Sequence, residues 1–368
     1  MKVGVMGAGA ISDIYLKNMT QRFKNLEVTA IANRSPAKAI AKSKQYDIRP
    51  LGADQLYEDR DVEMIVNLTP VEAHAEIIER ALLAGKHVYT EKTITNDLGR
   101  ALELCALAES RGLYLGSAPD TFLGSALQTA REAIDAGKIG EIHSFAISAN
   151  RCNDILISNF PFLRTPGTGI VIDYAVYYLT ALVSLLGPVA GVSAFAAAPY
   201  PARKQCIPGR GSFGKEIPSP NEAVVSASMR LENGVIGTLH VDAESDFSDQ
   251  AYFAIFGKKG ILYLSDPNQF GGEVKILPNR IGLRGGGGDP TVLKPRTPYS
   301  DNCRGVGPAE MADAIEKGRP CRANGRMATH VLEVCKAVLA AAEDGRRHEI
   351  STTCTRPDPL KGKAFGVF

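Results

Sequence analysis

The chain opens on KVGVMGAGAIS, a short apolar run that ends at Gly7 and Gly9 and gives way to helical spacing. No other feature restricts the fold as much. A β-rich run followed at once by G-x-G and a helix is the start of a β-α-β unit. Gly7 suits the tight turn, and Gly9 lets the backbone approach a pyrophosphate at the helix N-terminus. Ala10 and Ile11 lead into the helix, and Ser12 takes the third small position, where glycine or alanine is more usual. A lone G-x-G is a weak signal; at residue 7, between strand and helix, it is specific.

The alternation continues. KVGVM (2–6), VTAIA (28–32), MIVNL (64–68), HVYT (87–90) and LYLGS (113–117) read as strands, and the segments between them carry apolar residues at i, i+3 and i+4. Gly85 and Gly112 stand where helix C-terminal glycines belong. The expected fold is α/β, with a Rossmann-like, doubly wound parallel sheet over residues 1–122. From residue 123 the pattern changes to a helix, a long strand EIHSFAISANR, and the runs VAGVSAFAA, EAVVSASMRL, VIGTLHVDA, AYFAIFG and GILYLSD. Asn233-Gly234 between two of them is the signal of a two-residue hairpin. Residues 123–368 are therefore expected to form a second α/β domain with an open, mainly antiparallel sheet, closed by helices near 307–317 and 328–344. Two domains suit 368 residues. The stretches 199–220 and 282–308 read as loops or lids. LRGGGGDP (283–290) lacks the Lys-Ser/Thr of a phosphate loop and reads as a flexible loop.

A net charge of +2 with no basic run argues against nucleic acid or an anionic membrane surface as partner. Seven cysteines without a C-x-x-C pair read as reduced thiols in a cytoplasmic protein, and no zinc-like array suggests a metal. The N-terminus begins directly as a strand, so no signal peptide is expected. Tyr174 to Ala198 is apolar and long enough to span a bilayer, but Gly187-Pro188 breaks it and Asp173 borders it. A buried helix to about Leu186 and a strand from Val189 are expected instead.

The end of the second strand bears on the dinucleotide. NAD sites usually place a carboxylate there for the ribose hydroxyl. Here stand Asn33, Arg34 and Ser35, with Lys38 one turn further on. No acid repels a phosphate and a guanidinium can meet one, so NADP(H) is favoured over NAD(H). Arg34 stacked on the adenine, which suits NAD equally, is the alternative.

With GAGAIS, NLTPVEAHAEIIERALLAGKHVYTEK, AREAIDAGKIGEI and GTGIVIDYAVYYLT, nearly the whole chain resembles the Gfo/Idh/MocA oxidoreductases, the glucose–fructose oxidoreductase and inositol dehydrogenase group. The resemblance implies pyridine-nucleotide oxidoreduction of a sugar, polyol or similar small molecule, in homodimers or homotetramers that pack through the open sheet. Glu91, Lys92 and Thr93 match the family's Glu-Lys-Pro motif, whose lysine lies beside the nicotinamide and contacts the reacting oxygen. Thr93 departs from proline and would leave the backbone less fixed. Asp173 and Tyr177 match its Asp-x-x-x-His helix, with tyrosine in the histidine position, as in a minority of members. One helical turn puts both side chains on one face, and a nearby Lys92 is expected to lower the phenol pKa. Thr180 replaces a second Asp of many members. The resemblance also puts Thr69 and Pro70 on the nicotinamide ribose side, and His74 in a structural or cofactor-proximal place. Asp120, with Pro119 and Phe122, would edge the nicotinamide; Arg151 would reach a polar substrate or be a surface arginine. Tyr174 and Tyr178 read as packing, and His330 as a satisfied helix histidine.

A blander reading of the same helix has the phenol donating to a backbone carbonyl and Asp173 capping the loop at Gly169. Two other functions stay open. One is an enzyme that holds NAD(P) tightly and oxidises a sugar transiently for epimerisation, elimination or glycoside cleavage; the other is a non-catalytic dinucleotide sensor.

Overall fold

The computed structural model describes residues 1–245, 252–279 and 289–360; most of the Gly-rich run at 283–290 lies outside the described residues. The N-terminal part runs β1 (Lys2–Met6), α1 (Ser12–Gln21), β2 (Glu27–Ala32), α2 (Pro36–Tyr46), β3 (Arg49–Leu51), α3 (Ala53–Glu58), β4 (Met64–Asn67), α4 (His74–Leu83), β5 (His87–Thr90), α5 (Leu98–Ser110) and β6 (Leu115–Ser117). Its six strands pair in parallel in the order β3-β2-β1-β4-β5-β6. Helices cover both faces, which is why Val3, Val5, Met64, Ile65 and Val66 are all fully buried. Chain order reverses between β1 and β4, and ligands of such sheets bind in the crevice at that switch point. Strand β3 and helix α3 had no clear signal. β3 is only three residues long and contains Pro50, which a sheet tolerates at its edge.

The remainder adds α6 (Ser125–Asp135), β7 (Ile142–Asn150), α7 (Asn153–Asn159), α8 (Val176–Leu186), β8 (Val189–Ala197), β9 (Ala202–Lys204), β10 (Glu216–Pro218), β11 (Val224–Leu231), β12 (Ile236–Asp242), β13 (Tyr252–Gly257), β14 (Gly260–Leu264), β15 (Val274–Pro278), β16 (Thr291–Val292), α9 (Val306–Glu316), α10 (Gly325–Asp344) and β17 (His348–Glu349). Nine strands form one sheet, β16-β15-β14-β13-β7-β12-β11-β8-β17, antiparallel except where β12 lies parallel to β7. β9 and β10 form a separate ribbon inside the stretch read as a loop.

Along β11 buried and exposed residues alternate, because α6, α8 and α10 cover only one face. The open face carries Phe195, 80% exposed, in register with Ser226. The β11–β12 turn is a three-residue loop, closed by Leu231 N donating to Val235 O at 2.8 Å. Gly234 takes the left-handed position at φ 88°, so the Asn-Gly pair serves a longer hairpin than expected. Helix α8 is eleven residues long and stops at Gly187. No described helix is long and apolar enough to cross a membrane.

The C-terminal helices also reach the N-terminal sheet and its helices. α9 packs against β5 and β6, α10 packs against α5 and β8, and Ser117 N donates to Ala323 O at 2.9 Å. The segment before α9 is thereby brought to the carboxyl edge of the N-terminal sheet.

Candidate active site

At the end of β1 the turn is set by backbone alone. Gly7 N donates to Ala32 O at 2.8 Å, φ is +112°, and a Cβ would lie 2.8 Å from the Leu68 carbonyl at the end of β4. Only glycine fits there. A Cβ on Gly9 would meet nothing within 4 Å, so the N-terminus of α1 faces open space. Ser12, fully buried, binds Gly9 O through both its N–H, at 3.1 Å, and its hydroxyl, at 2.6 Å. Ala10 and Ile11 line the rim. Asn33 ties the end of β2 to this turn: its Oδ1 accepts from Ala8 N at 3.0 Å and its Nδ2 donates to Ser35 O at 3.1 Å. Arg34 and Lys38 project exposed beside it, while Lys42 is already paired with Asp13. An open helix N-terminus, a glycine turn and two exposed cations suit a dinucleotide pyrophosphate and a further phosphate.

Two loops are fastened above the crevice. Buried Asn67 accepts from the Thr69 hydroxyl at 2.7 Å and donates to the Thr90 hydroxyl at 3.0 Å, which fixes Thr69 and Pro70 beyond β4. His74 has no exposed surface and spans Thr69 O and Thr93 O, each at 2.8 Å. Burial holds its pKa below the usual histidine value against the pull of those carbonyls.

Beyond β5 the chemistry-bearing side chains converge. Lys92 Nζ lies 2.5 Å from Asp173 Oδ1, 2.8 Å from Asp173 O and 5.6 Å from the centre of the Tyr177 ring. Both members of the ion pair are 17% exposed. The Lys92–Thr93 peptide is cis although Thr93 is no proline. Asp173 sits in a single π-helical turn, Val171–Ala175, that leads into α8, a feature frequent at functional sites. The loop before it is capped by another acid. Glu222 accepts from Val171 N at 3.2 Å and fills the space where a Cβ at Gly169 would come within 2.2 Å of its oxygens. Asp173 is thus not the loop cap of the blander reading; Lys92 holds it.

Glu91 accepts from the Tyr15 hydroxyl at 2.7 Å and from Lys92 N at 3.0 Å. Burial favours a neutral Lys92, but Asp173, Tyr177 and Glu91 outweigh it and hold the amine above its ordinary pKa, as an ammonium. For Tyr177 the balance falls the other way. Burial raises the phenol, Glu91 adds to this, and Lys92 and Arg304 only oppose it, so the net shift is upward. The expectation that Lys92 leaves the phenol below its free value is corrected: desolvation wins.

Arg151 stands apart from this trio. It pairs with Asp266 at 3.4 Å and lies 3.9 Å from the centre of the Tyr174 ring. The Tyr174 hydroxyl in turn meets Asp266 and Tyr178, each at 3.1 Å. Tyr174 and Tyr178 are therefore buried but polar-linked. Asp120, 1% exposed, accepts from Gly305 N at 3.3 Å and Gly307 N at 3.0 Å, and burial pushes it up to about 6. It holds the start of α9. His330 accepts from Val189 N at 3.0 Å and faces Thr352 O at 3.0 Å, a satisfied core residue. A cavity of about 630 Å³ between α5, the start of α10 and residues 355–358 contains none of these groups. Its arginines are already matched: Arg319 and Arg322 with Glu310, Arg326 with Glu109, Arg356 with Asp135.

Two residues at the site had no sequence signal, Tyr15 and Arg304. Arg304 comes from the segment before α9, and its charge opposes the effect of burial on the Tyr177 phenol. It donates to Asn302 Oδ1 at 2.9 Å and to Asn268 Oδ1 at 3.2 Å.

Residues 1–118 match the profile of the oxidoreductase family with an NAD-binding Rossmann fold, and residues 127–263 match the GFO/IDH/MocA C-terminal domain. The dTDP-3,4-didehydro-2,6-dideoxy-alpha-D-glucose 3-reductase of Streptomyces violaceoruber is 31% identical, over 76% of this chain and 80% of that protein. An NAD binding oxidoreductase from Klebsiella pneumoniae shares the fold at a TM-score of 0.81 and 18% identity, over 96% of this chain and 99% of that one. Levoglucosan dehydrogenase in complex with NADH and L-sorbose does so at the same TM-score, identity and coverage. The chain belongs to the Gfo/Idh/MocA oxidoreductases, with an N-terminal NAD-binding Rossmann fold followed by the family's C-terminal domain.

Proposed function

We propose that this protein is an NADP(H)-preferring oxidoreductase that interconverts a ketone and a secondary alcohol on a sugar, a polyol or a related compound. The observation that carries the reading is the Lys92–Asp173 ion pair set against the Tyr177 ring beyond the carboxyl end of β5. The dinucleotide, when bound, supplies or accepts the hydride at its nicotinamide ring. Gly7, Gly9, Ala10 and Ile11 would hold its pyrophosphate, Thr69 and Pro70 would wall the ribose side with His74 buried behind them as their support, and Arg34 and Lys38 would meet the extra phosphate.

Lys92 polarises the substrate oxygen as an ammonium; such electrostatic stabilisation is usually the largest single term in catalysis. Tyr177 exchanges the proton with that oxygen. Burial keeps the phenol protonated at neutral pH, the form that can donate to a developing alkoxide. Asp173 fixes Lys92 and offers its second oxygen to a neighbouring hydroxyl. The relative from Streptomyces violaceoruber, named as a keto-sugar reductase, supports the direction and the substrate class. The exposed sheet face with Phe195, Ile236 and Tyr252 supports a homodimer or homotetramer through that surface.

Titration of the purified protein with NADPH and NADH, followed by nucleotide fluorescence, tests the cofactor reading. NADPH is expected to bind about tenfold tighter, the value of one lost charge-assisted contact. Equal affinities would return Arg34 to adenine stacking, and binding of neither would remove the dinucleotide reading. With keto-sugars as substrates, Tyr177→Phe is expected to cut NADPH oxidation by about 10²–10⁴. An unaltered rate would exclude Tyr177 as the proton donor.

A further inference from the structure

We infer that Arg151 holds an oxyanion of the substrate, a carboxylate or a phosphate carried away from the reacting carbon. The inference rests on the reading of Lys92 and Tyr177 as the reacting pair, and it adds the class of substituent that the far side of their site would grip.

A lysine and an arginine flank one strip of aromatic rings. Tyr174 and Tyr177 lie where the π-helical turn enters α8, with ring centres 6.5 Å apart. Lys92 Nζ stands 5.6 Å from the centre of the Tyr177 ring, and Arg151 Cζ stands 3.9 Å from the centre of the Tyr174 ring. Arg151 directly follows β7, and its backbone N–H donates to Asp242 O at 2.9 Å. A strand end thus fixes its main chain, and an aromatic face fixes its side chain.

The cations differ in what they leave open. Lys92 is committed to Asp173 at 2.5 Å. Arg151 meets Asp266 at 3.4 Å, well beyond the about 2.7–2.9 Å of a closed charge-assisted bond. Asp266 is itself occupied by other donors, Asn268 N at 2.9 Å and the Tyr174 hydroxyl at 3.1 Å. A guanidinium carries five donors in one plane. Among the described residues, that long contact to Asp266 is the one acceptor the Arg151 guanidinium meets.

Arg203, on the ribbon of β9 and β10, shows what a structural arginine looks like in this chain. Its Nε donates to the Ser219 hydroxyl at 3.1 Å, its terminal nitrogens go to Asp154 and Glu244, and its side chain is 5% exposed. The Arg151 side chain is 27% exposed. Stacking on a ring leaves the edge of the guanidinium clear, and that edge is the fork that matches two oxygens of a carboxylate or phosphate. A single hydroxyl would leave most of the fork unused. A two-oxygen anion engages both arms and completes the neutralisation that Asp266 leaves partial.

The test compares acids with neutral sugars of closely similar shape: D-glucuronate against D-glucuronamide for a carboxylate, and D-glucose 6-phosphate against D-glucose for a phosphate. In calorimetric titrations with NADPH present, one of the acids is expected to bind about tenfold tighter than its neutral counterpart, or better, the effect of a hydrogen bond to a charged group. The pair that shows the preference names the anion. Arg151→Gln should abolish the preference. Arg151→Lys, which keeps the charge and loses the fork, should recover only part of it. Asp266→Asn removes the competing carboxylate and should raise acid affinity by a few-fold. An arginine that served only to hold Asp266 would give no such rise.

No preference in either pair, no binding of any of these sugars, or a preference that survives Arg151→Gln would each overturn the inference. If Arg151→Gln fails to fold, Asp266→Asn decides, and unchanged or weaker acid binding there overturns it as well. None of these titrations needs hydride transfer. A protein that prefers an acid but reduces no ketone would lose the proposed function and keep Arg151 as an oxyanion site. One that reduces ketones without the preference would lose this inference alone.

Discussion

The two ends of the crevice are built on different principles. Around Gly7 and Gly9 the site is backbone and empty space: a turn with no room for a Cβ on one side, and at Gly9 nothing within 4 Å. Around Lys92 and Tyr177 it is side chains, mostly buried and already bonded to one another. The first end is ready to receive a ligand's charge through helix amides. The second end holds its charges in balance, with an ammonium kept by Asp173 and a phenol kept protonated by burial. Binding and chemistry should therefore separate on mutation.

Lys92→Met is the harshest probe of that separation. It removes the cation that would stabilise the developing alkoxide and leaves Asp173 without its partner. Ketone reduction is expected to fall by about 10³ or more, while dinucleotide affinity measured by fluorescence stays within a few-fold. Joint loss of both in a protein that still melts cooperatively would mean that the two ends are not separable.

A pair of glycine substitutions sharpens the comparison at the other end. In Gly7→Ala the new methyl meets the Leu68 carbonyl at 2.8 Å, in a backbone conformation that L-residues avoid. Strain and overpacking together should cost about 4 kcal/mol in a denaturant melt. In Gly9→Ala the methyl enters open space. The melt should be unchanged and dinucleotide affinity should drop instead. Equal destabilisation by both would refute an open crevice at Gly9.

The same contrast governs what could be seen in the sequence. The glycine end is local: a strand, a turn and a helix lie within residues 2–21, and periodicity with G-x-G was enough to place them. The relation of Asp173 to Tyr177 was also local, one helical turn. The bond from Lys92 to Asp173 spans 81 residues, and only the family resemblance suggested that these two meet. Arg304 was invisible because it lies in a loop with no periodicity, and its place depends on how α9 returns to β5 and β6. The phenol pKa was misjudged for the same reason. A cation can be guessed from a motif, but burial is set by everything that packs around the group. Strand β3 was lost to its shortness and Pro50, whereas the long β7, β8, β11 and β12 were plain from alternation.

Asp120 gives the mildest test, because its carboxylate accepts from the backbone amides of Gly305 and Gly307 and so joins the returning segment to the turn that follows β6. Its carboxyl is pushed up to about 6 by burial, with the Gly307 amide and Arg304 opposing. A folded-state pKa above the ordinary carboxylate value means that the fold prefers the protonated form. The stability this contributes is complete below the ordinary value, near pH 4, and is lost as pH rises through 6. Two units correspond to about 3 kcal/mol. Asp120→Asn keeps an oxygen for the Gly305 and Gly307 amides and cannot ionise, so it should match the parent near pH 4 and exceed it by up to about 3 kcal/mol at pH 7.5. Denaturant melts of both proteins at the two pH values decide this, and parallel curves would show that Asp120 is charged throughout. Because the substitution leaves Gly9 and Arg34 untouched, dinucleotide affinity should not move with the stability. If it does, the C-terminal segment that carries Arg304 is coupled to the binding end, and the crevice works as one unit.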